Sequence, residues 1–441
     1  MNWINKILKG DRVIWVVALL LGIVSLLAVY SATSSEAAVK VGAYNEMVLL
    51  KHAATLLAGY VMMYIASRID YRYYAKGVEL VLIFSVILLV FTFFCGSRIN
   101  GASRSIMGFQ TSEMAKIVLI AYLAKYIVLY TGKNYTFKEI IVPIALPIFL
   151  IVAPIFPENL STAAMLFVVC LTMLFIGRIK FGHIMAILGV AVLGGLLYIL
   201  TDDAVASHNQ RKYERVVAEA QAHPEDAKLQ ERAAKQPRVR RVKTWKGRIE
   251  DKKAEKEAKR LAKENGESLA ETPLMITDRN AQKTYAKIAV AKGGLIGKGS
   301  GKSTQRNFLP QPFSDCIYAI IIEEYGLVGG IFVMLLYVIL FTRAFKIMRT
   351  RPLTFGALLA FGLALIIIVQ AMINMGVSTG LMPVTGQQLP FVSKGGSSML
   401  MTGFAVGMIL SVTRSVDSGV ENENGERRTE NGELITEQMN K

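Results

Sequence analysis

The sequence predicts an all-α polytopic membrane protein, and three observations carry that prediction. The chain of 441 residues is 53% hydrophobic and 19% charged, with a mean hydropathy of +0.41; a soluble chain carries nearer a quarter charged residues. The apolar residues are gathered into blocks. Segments 13–35, 80–97, 140–157, 159–177, 325–342 and 395–413 each hold 18 or more residues without Asp, Glu, Lys or Arg, and 352–393 holds 42. Blocks of that length match a hydrocarbon core roughly 30 Å thick. A helix is the open-ended element that satisfies its own backbone there. A soluble enzyme, a disordered chain and a β-barrel are excluded.

Hydropathy places about ten transmembrane helices, near 13–31, 48–66, 79–95, 113–130, 139–155, 161–177, 182–200, 316–342, 354–375 and 396–413. The first is too long for a signal-peptide core and is read as a retained span. The second and fourth are interrupted by Lys51, Lys116 and Lys125. Domain organisation follows from the blocks. Residues 1–200 hold the first seven spans, 201–315 form a large extracytoplasmic loop, 316–414 hold the last three spans, and 415–441 form an acidic cytoplasmic tail. Short-loop basic residues orient the chain. Lys6, Lys9, Arg12, Arg68, Arg72, Lys76, Lys133, Lys138, Arg178, Lys180, Arg343, Lys346, Arg349, Arg351 and Arg414 fall on one side, and outnumber Lys40, Lys51, Arg98, Arg104 and Lys394 on the other. Both termini are therefore expected in the cytoplasm, with the 201–315 loop outside.

The net charge of +17 is concentrated in that loop. Its charged insert, 211–270, is rich in Ala, Glu, Lys and Arg and reads as a solvated helical stretch. The more amphipathic 281–290 (AQKTYAKIAV) is expected in the interface plane. Segment 297–303 (GKGSGKS) imitates a phosphate-binding loop, but Ile296 stands where the first Gly of that motif belongs and no strand precedes it. It reads as a flexible link near lipid head groups. Three scattered cysteines and four histidines suggest neither a disulfide framework nor a His-based metal site.

Charges inside spans cost about 2.5–3.5 kcal/mol each at a helix centre and need a partner, water or a task. Glu113 and Lys116 are three residues apart and share one helix face. Glu323 and Glu324 are adjacent, so at least one needs a buried donor or a wet cavity. Arg98, Arg104, Glu158, Asp315 and Lys394 all fall on the outer side of the expected topology. They outline an outward polar cavity with cations for an anion and at least one acid. A phosphate-bearing lipid fits that cavity, and so does a transporter's ion site; nothing points to nucleic acid.

Three motifs go further. Segment 374–398, NMGVSTGLMPVTGQQLPFVSKGGSS, resembles the C-terminal signature of the SEDS family (shape, elongation, division and sporulation proteins): Asn, Gly, Pro-x-x-Gly-x-x-Leu-Pro, Ser-x-Gly-Gly-Ser-Ser. Segment 307–326, NFLPQPFSDCIYAIIIEEYG, is similar to the family block around its catalytic aspartate, and 100–116, NGASRSIMGFQTSEMAK, to its Asn-Gly-x-x-Arg loop and following helix. The likeness covers about 10–415, and the pattern is nearer the division branch than the elongation branch. It departs from many members at Ser105, Phe313, Ser314, Cys316 and Lys394.

The resemblance implies a peptidoglycan glycosyltransferase of the bacterial cytoplasmic membrane that polymerises lipid II at the periplasmic face. Its expected partners are a class B penicillin-binding protein transpeptidase and other division proteins. It implies Asp315 as the catalytic residue, with Arg104, Glu113, Lys116, Ser393, Lys394, Gly395, Gly396 and Ser397 binding substrate. The expected reaction is inverting attack of a sugar 4-hydroxyl on an anomeric carbon, with undecaprenyl pyrophosphate leaving. Asp315 would take the proton, and Arg104, Lys116 and Lys394 would stabilise the pyrophosphate, with a divalent cation (Mg or Mn) as a further candidate. A lipid II flippase, an elongation polymerase and a non-catalytic division scaffold are the rival expectations.

Overall fold

A computed structural model describes residues 9–33, 45–95, 97–99, 102–105, 109–222, 260, 281–309, 313–350 and 353–417. The protein is a helical multi-pass membrane protein. In chain order the helices are α1 (Arg12–Thr33), α2 (Asn45–Arg68), α3 (Tyr71–Cys95), α4 (Thr111–Tyr130), α5 (Leu146–Glu158), α6 (Leu160–Ile176), α7 (Phe181–Ala222), α8 (Ala281–Gly293), α9 (Ile317–Thr350), α10 (Phe355–Ser378) and α11 (Gly396–Asp417). Two short strands, Ser97–Ile99 and Ala102–Ser105, pair between α3 and α4. Among the described residues, eight helical segments are long and apolar enough to cross a bilayer. They lie in α1, α2, α3, α5 with the turns before it, α7, α9, α10 and α11. Helix α4 carries Glu113, Lys116 and Lys125, and α6 is 17 residues long.

The chain divides into two units. One holds 1–96, 104–179 and 276–441; the other holds 97–103 and 180–275. In the second, α7 continues to Ala222, beyond the end expected for its span at residue 200. Most of the insert 211–270 and all of the tail beyond Asp417 lie outside the described residues.

The first unit is built around α10, which is buried along nearly its whole length. An apolar helix that is buried all round sits at the centre of a bundle. It packs on α4, α6, α9 and α11, while α2 lies along α11 and α1 along α9 and α2. Small residues permit the closest approaches, as expected between membrane helices. A Cβ on Gly403 of α11 would overlap the Gly59 carbonyl of α2, and one on Gly362 of α10 would meet Ile120 and Met173.

Helix α9 is broken at Gly326, whose φ of 69° and ψ of −170° are not helical. The break frees backbone groups that lipid could not satisfy. The segment after α8 takes them up: Leu327 N–H donates to the Gly294 carbonyl at 2.9 Å and Val328 N–H to that of Leu295 at 3.2 Å. In return Lys298 N–H donates to the Glu323 carbonyl at 3.0 Å and Gly299 N–H to that of Glu324 at 2.9 Å. Gly297 and Gly326 face each other across this pairing, both at positive φ, and a Cβ on either would overlap the opposite backbone.

One expectation is corrected here. Segment 297–303 is not a loose link. Lys298 Nζ lies 2.6 Å from Glu323 Oε1, and the Ser303 and Thr304 hydroxyls donate to the same carboxylate at 2.6 and 2.9 Å. Glu324 accepts from the Ser31 hydroxyl of α1 and from Ser303 N–H at 3.2 Å. Two carboxylates buried in an apolar helix need donors, and the lysine and hydroxyls of the segment supply them. Helix α8 is held by the helices of its own unit. It packs on α9, with Gly293 directly against the Ile322 carbonyl and Tyr285 stacked on Phe308 at 5.4 Å.

Candidate active site

Asp315 sits two residues before α9, half-buried, in a turn that the helix ladder does not reach. The Ser314 hydroxyl donates to Asp315 Oδ1 at 2.9 Å, so the serine that stands at a departure from the family pattern orients the carboxylate. The turn is held by the signature segment between α10 and α11. Ser393 Oγ donates to the Ser314 carbonyl at 2.6 Å, and Lys394 N–H donates to that of Phe313 at 2.9 Å. On the other side, Asn374 Nδ2 donates to the Asp315 carbonyl at 3.0 Å.

The signature segment is fixed in turn. Asn374 also donates to the Gln387 carbonyl at 2.7 Å, and Gln387 Nε2 donates to Thr162 Oγ1 at 2.6 Å. Thr162 belongs to α6, whose N-cap, Asn159, accepts from Thr162 N–H. Tyr337 of α9 donates to the Pro390 carbonyl at 2.5 Å. Ser25 of α1 donates to that of Val392 at 2.8 Å and lies 2.8 Å from His52 Nε2 of α2. Phe391 holds a φ of 61° and stacks on Tyr60. A bulky residue in the left-handed region persists only where its surroundings over-determine it, and here three helices do so, α9 at Pro390, α1 at Val392 and α2 through Tyr60.

The expected site residues fall as follows. Glu113 and Lys116 form an ion pair at 2.8 Å in α4, both buried, and Lys116 also donates to Gln370 Oε1 of α10 at 3.0 Å. Gln370 Nε2 donates to the Gln388 carbonyl at 3.0 Å, so hydrogen bonds connect the pair to the signature segment. Ser393 is buried, and its hydroxyl is engaged with Leu389 N–H and the Ser314 carbonyl. Gly395 lies against the Gln388 side chain, where a Cβ would collide with it. Gly396, exposed, and Ser397 open α11. Arg104 lies on the second strand, and its side chain is outside the described residues.

Lys394 is half-buried with its Nζ 4.6 Å above the Phe313 ring. Among the described residues no carboxylate pairs with it. Burial, and the like charge of Lys51, hold its ammonium below the ordinary lysine value. Among the described residues no three His, Cys, Asp or Glu side chains gather as a metal cluster. The groups set against Asp315 are the Ser314 hydroxyl on its carboxylate and the Asn374 amide on its carbonyl.

Sequence reasoning missed Gln370, Gln387, Thr162, Ser25 and His52. The amides had a signal: they are polar groups in the uninterrupted apolar run 352–393, where an amide needs a partner as a charge does. Ser25, His52 and Thr162 gave no such signal.

Family and fold are shared with known proteins. The family model described as "Cell cycle protein", FTSW_RODA_SPOVE, matches residues 11–230 and 272–418. The chain is similar to "Stage V sporulation protein E" of Bacillus subtilis (strain 168), 29% identical over 422 residues, covering 93% of this chain and 98% of that one. It is also similar to "Probable peptidoglycan glycosyltransferase FtsW" of Geobacter metallireducens, 30% identical over 420 residues, covering 93% and 96%. A solved chain described as "Structural coordination of polymerization and crosslinking by a peptidoglycan synthase complex" shares the fold, with a TM-score of 0.61 and 19% identity over 92% of this chain and 98% of that one.

Proposed function

The chain belongs to the FtsW/RodA/SpoVE family of cell cycle proteins, and from that premise we propose that it is a peptidoglycan glycosyltransferase that polymerises lipid II during cell division. The curated relatives named as probable peptidoglycan glycosyltransferases support the activity. The observation that carries the reading is local. A half-buried carboxylate, Asp315, is held by the same segment that presents Lys394, a cation without a carboxylate partner among the described residues.

The chemistry follows from those two groups. The 4-hydroxyl of one sugar gives its proton to the Asp315 carboxylate as its oxygen bonds to the anomeric carbon of another. The bond from that carbon to pyrophosphate oxygen breaks, the leaving group takes the electron pair, and the configuration inverts. A positioned base contributes typically about 10²–10⁴-fold. Fixed cations aimed at the developing pyrophosphate charge supply electrostatic stabilisation that needs no reorganisation. Lys394 fills that role, with Arg104 and the Lys116 of the buried pair completing the cationic side. Glu113 holds Lys116 in place. Gly395, Gly396 and Ser397 bring the start of α11, the end of a helix that favours an anion, beside Lys394.

The setting proposed for this site is the periplasmic face of the cytoplasmic membrane, with ten spans and both termini cytoplasmic. The basic-residue asymmetry supports this orientation. A class B penicillin-binding protein, cross-linking the strands that this chain makes, is the proposed partner within the division machinery.

Purified protein supplied with lipid II, with and without that transpeptidase, tests the proposal. Glycan strands are expected from the wild-type chain and none from Asp315→Asn at equal folded concentration. An Asp315→Asn protein that polymerises at the wild-type rate removes the base assignment. Transbilayer movement of lipid II without strand growth would instead make the chain a flippase.

A further inference from the structure

We infer that Asn374 is a positioning residue that sets where Asp315 stands, by pinning the backbone carbonyl of the aspartate itself. This inference rests on Asp315 being the base. The helix ladder of α9 begins after the aspartate: Ala319 N–H bonds to the Cys316 carbonyl at 3.0 Å, and α9 starts at Ile317. The peptides on either side of Asp315 are instead held by two side chains. The Ser314 carbonyl accepts from Ser393 Oγ at 2.6 Å and the Asp315 carbonyl from Asn374 Nδ2 at 3.0 Å. Both carbonyls flank the Cα that carries the carboxylate, so the two bonds fix its height and rotation.

The geometry assigns Asn374 this task and not general packing. It is 1% exposed at the end of the buried helix α10. Its amide nitrogen gives one hydrogen to Asp315 and the other to the Gln387 carbonyl at 2.7 Å. Both partners are acceptors only, so the amide cannot be flipped, and aspartate in its place would set an acceptor against two acceptors. Through Gln387 and Thr162 the same bond reaches α6. The aspartate turn is therefore tied to α10 and, through Gln387 and Thr162, to α6. A base displaced by about 1 Å loses on the order of 100-fold in rate.

The experiment has two arms on the purified full chain. In the first, steady-state polymerisation of lipid II by Asn374→Ala and Asn374→Ser is compared with wild type. A drop in kcat on the order of 100-fold with KM within about twofold is expected for Asn374→Ala. Asn374→Ser, which keeps one donor, should fall between. In the second, Cys316, buried beside Asp315 and accepting from Gln282 Nε2 at 3.3 Å, reports the turn without any turnover. Its labelling by N-ethylmaleimide, read by mass spectrometry of the Cys316 peptide, should rise on the order of tenfold in Asn374→Ala as the turn opens locally. Wild-type kcat in Asn374→Ala, or a kcat loss with Cys316 as protected as in wild type, overturns the inference. If Asn374→Ala elutes aggregated on size exclusion, Asn374→Ser is read by the same two measures and the same outcomes decide. A wild-type chain that makes no glycan refutes the polymerase reading instead, and the labelling arm still decides the clamp.

Discussion

Glu113 and Lys116 form a buried 2.8 Å ion pair one helical turn apart in α4, tied at 3.0 Å to Gln370 of α10. Removing one charge leaves the other uncompensated, at a cost of about 3–5 kcal/mol. Lys116→Met should therefore lower the melting temperature in detergent sharply, and adding Glu113→Gln should recover most of it. A single variant as stable as the double would show that the charges are not coupled. Polymerisation should stay depressed in the double variant, because the cation is gone.

Lys394 titrates below the ordinary lysine value because burial and Lys51 disfavour its charged form. Binding an anion needs the protonated form, which is present below the folded pKa and lost as pH rises through it. The alkaline limb of kcat/KM against pH should thus fall at lower pH than an ordinary lysine would give. Lys394→Arg should move that limb upward, since guanidinium stays charged. An identical alkaline limb in Lys394→Arg would assign the titration to another group.

The carboxylate of Glu323 collects Lys298, Ser303, Thr304 and the N–H of Gln305. Glu323→Leu leaves those donors unpaired, at about 1–3 kcal/mol each where they stay buried. The segment from Lys298 to Arg306 should then open, and trypsin should cut there many times faster than in wild type. Unchanged cleavage would mean that the backbone pairing at Gly326 holds the segment alone.

Gly297 takes a φ of 87° where a Cβ would overlap the Glu324 carbonyl, whereas Gly132 takes a φ of 76° where a Cβ would meet open space. Alanine at either position carries the left-handed cost of roughly 1–2 kcal/mol, but only at 297 is there a backbone overlap as well. Gly297→Ala should lower thermal stability clearly more than Gly132→Ala. Equal losses would show that α9 can shift to admit the methyl.

Much of the site was legible in the chain. The spacing of Glu113 and Lys116 made them neighbours, because residues three apart share a helix face whatever surrounds them. The adjacency of Glu323 and Glu324 demanded a buried donor or a wet cavity for at least one of them, and both have donors. The GKGSGKS segment was misread because its composition is that of a mobile linker. Its lysine and hydroxyls have their use only once α9 breaks at Gly326 and offers carboxylates. The partners of Asp315 were also hidden: Asn374 is 59 residues away and Ser393 is 79 from Ser314.

The sequence by itself determined that the chain is helical and membrane-embedded, because the bilayer imposes a one-dimensional rule: enough consecutive apolar residues to cross it. It also carried the signature motif and the candidate aspartate. Only the tertiary structure decided what holds that aspartate. The Lys116–Gln370 bond joins residues 254 apart and the Ser25–Val392 bond residues 367 apart. Which donor meets which carbonyl across such distances depends on how the helices pack around α10, and no local pattern encodes that.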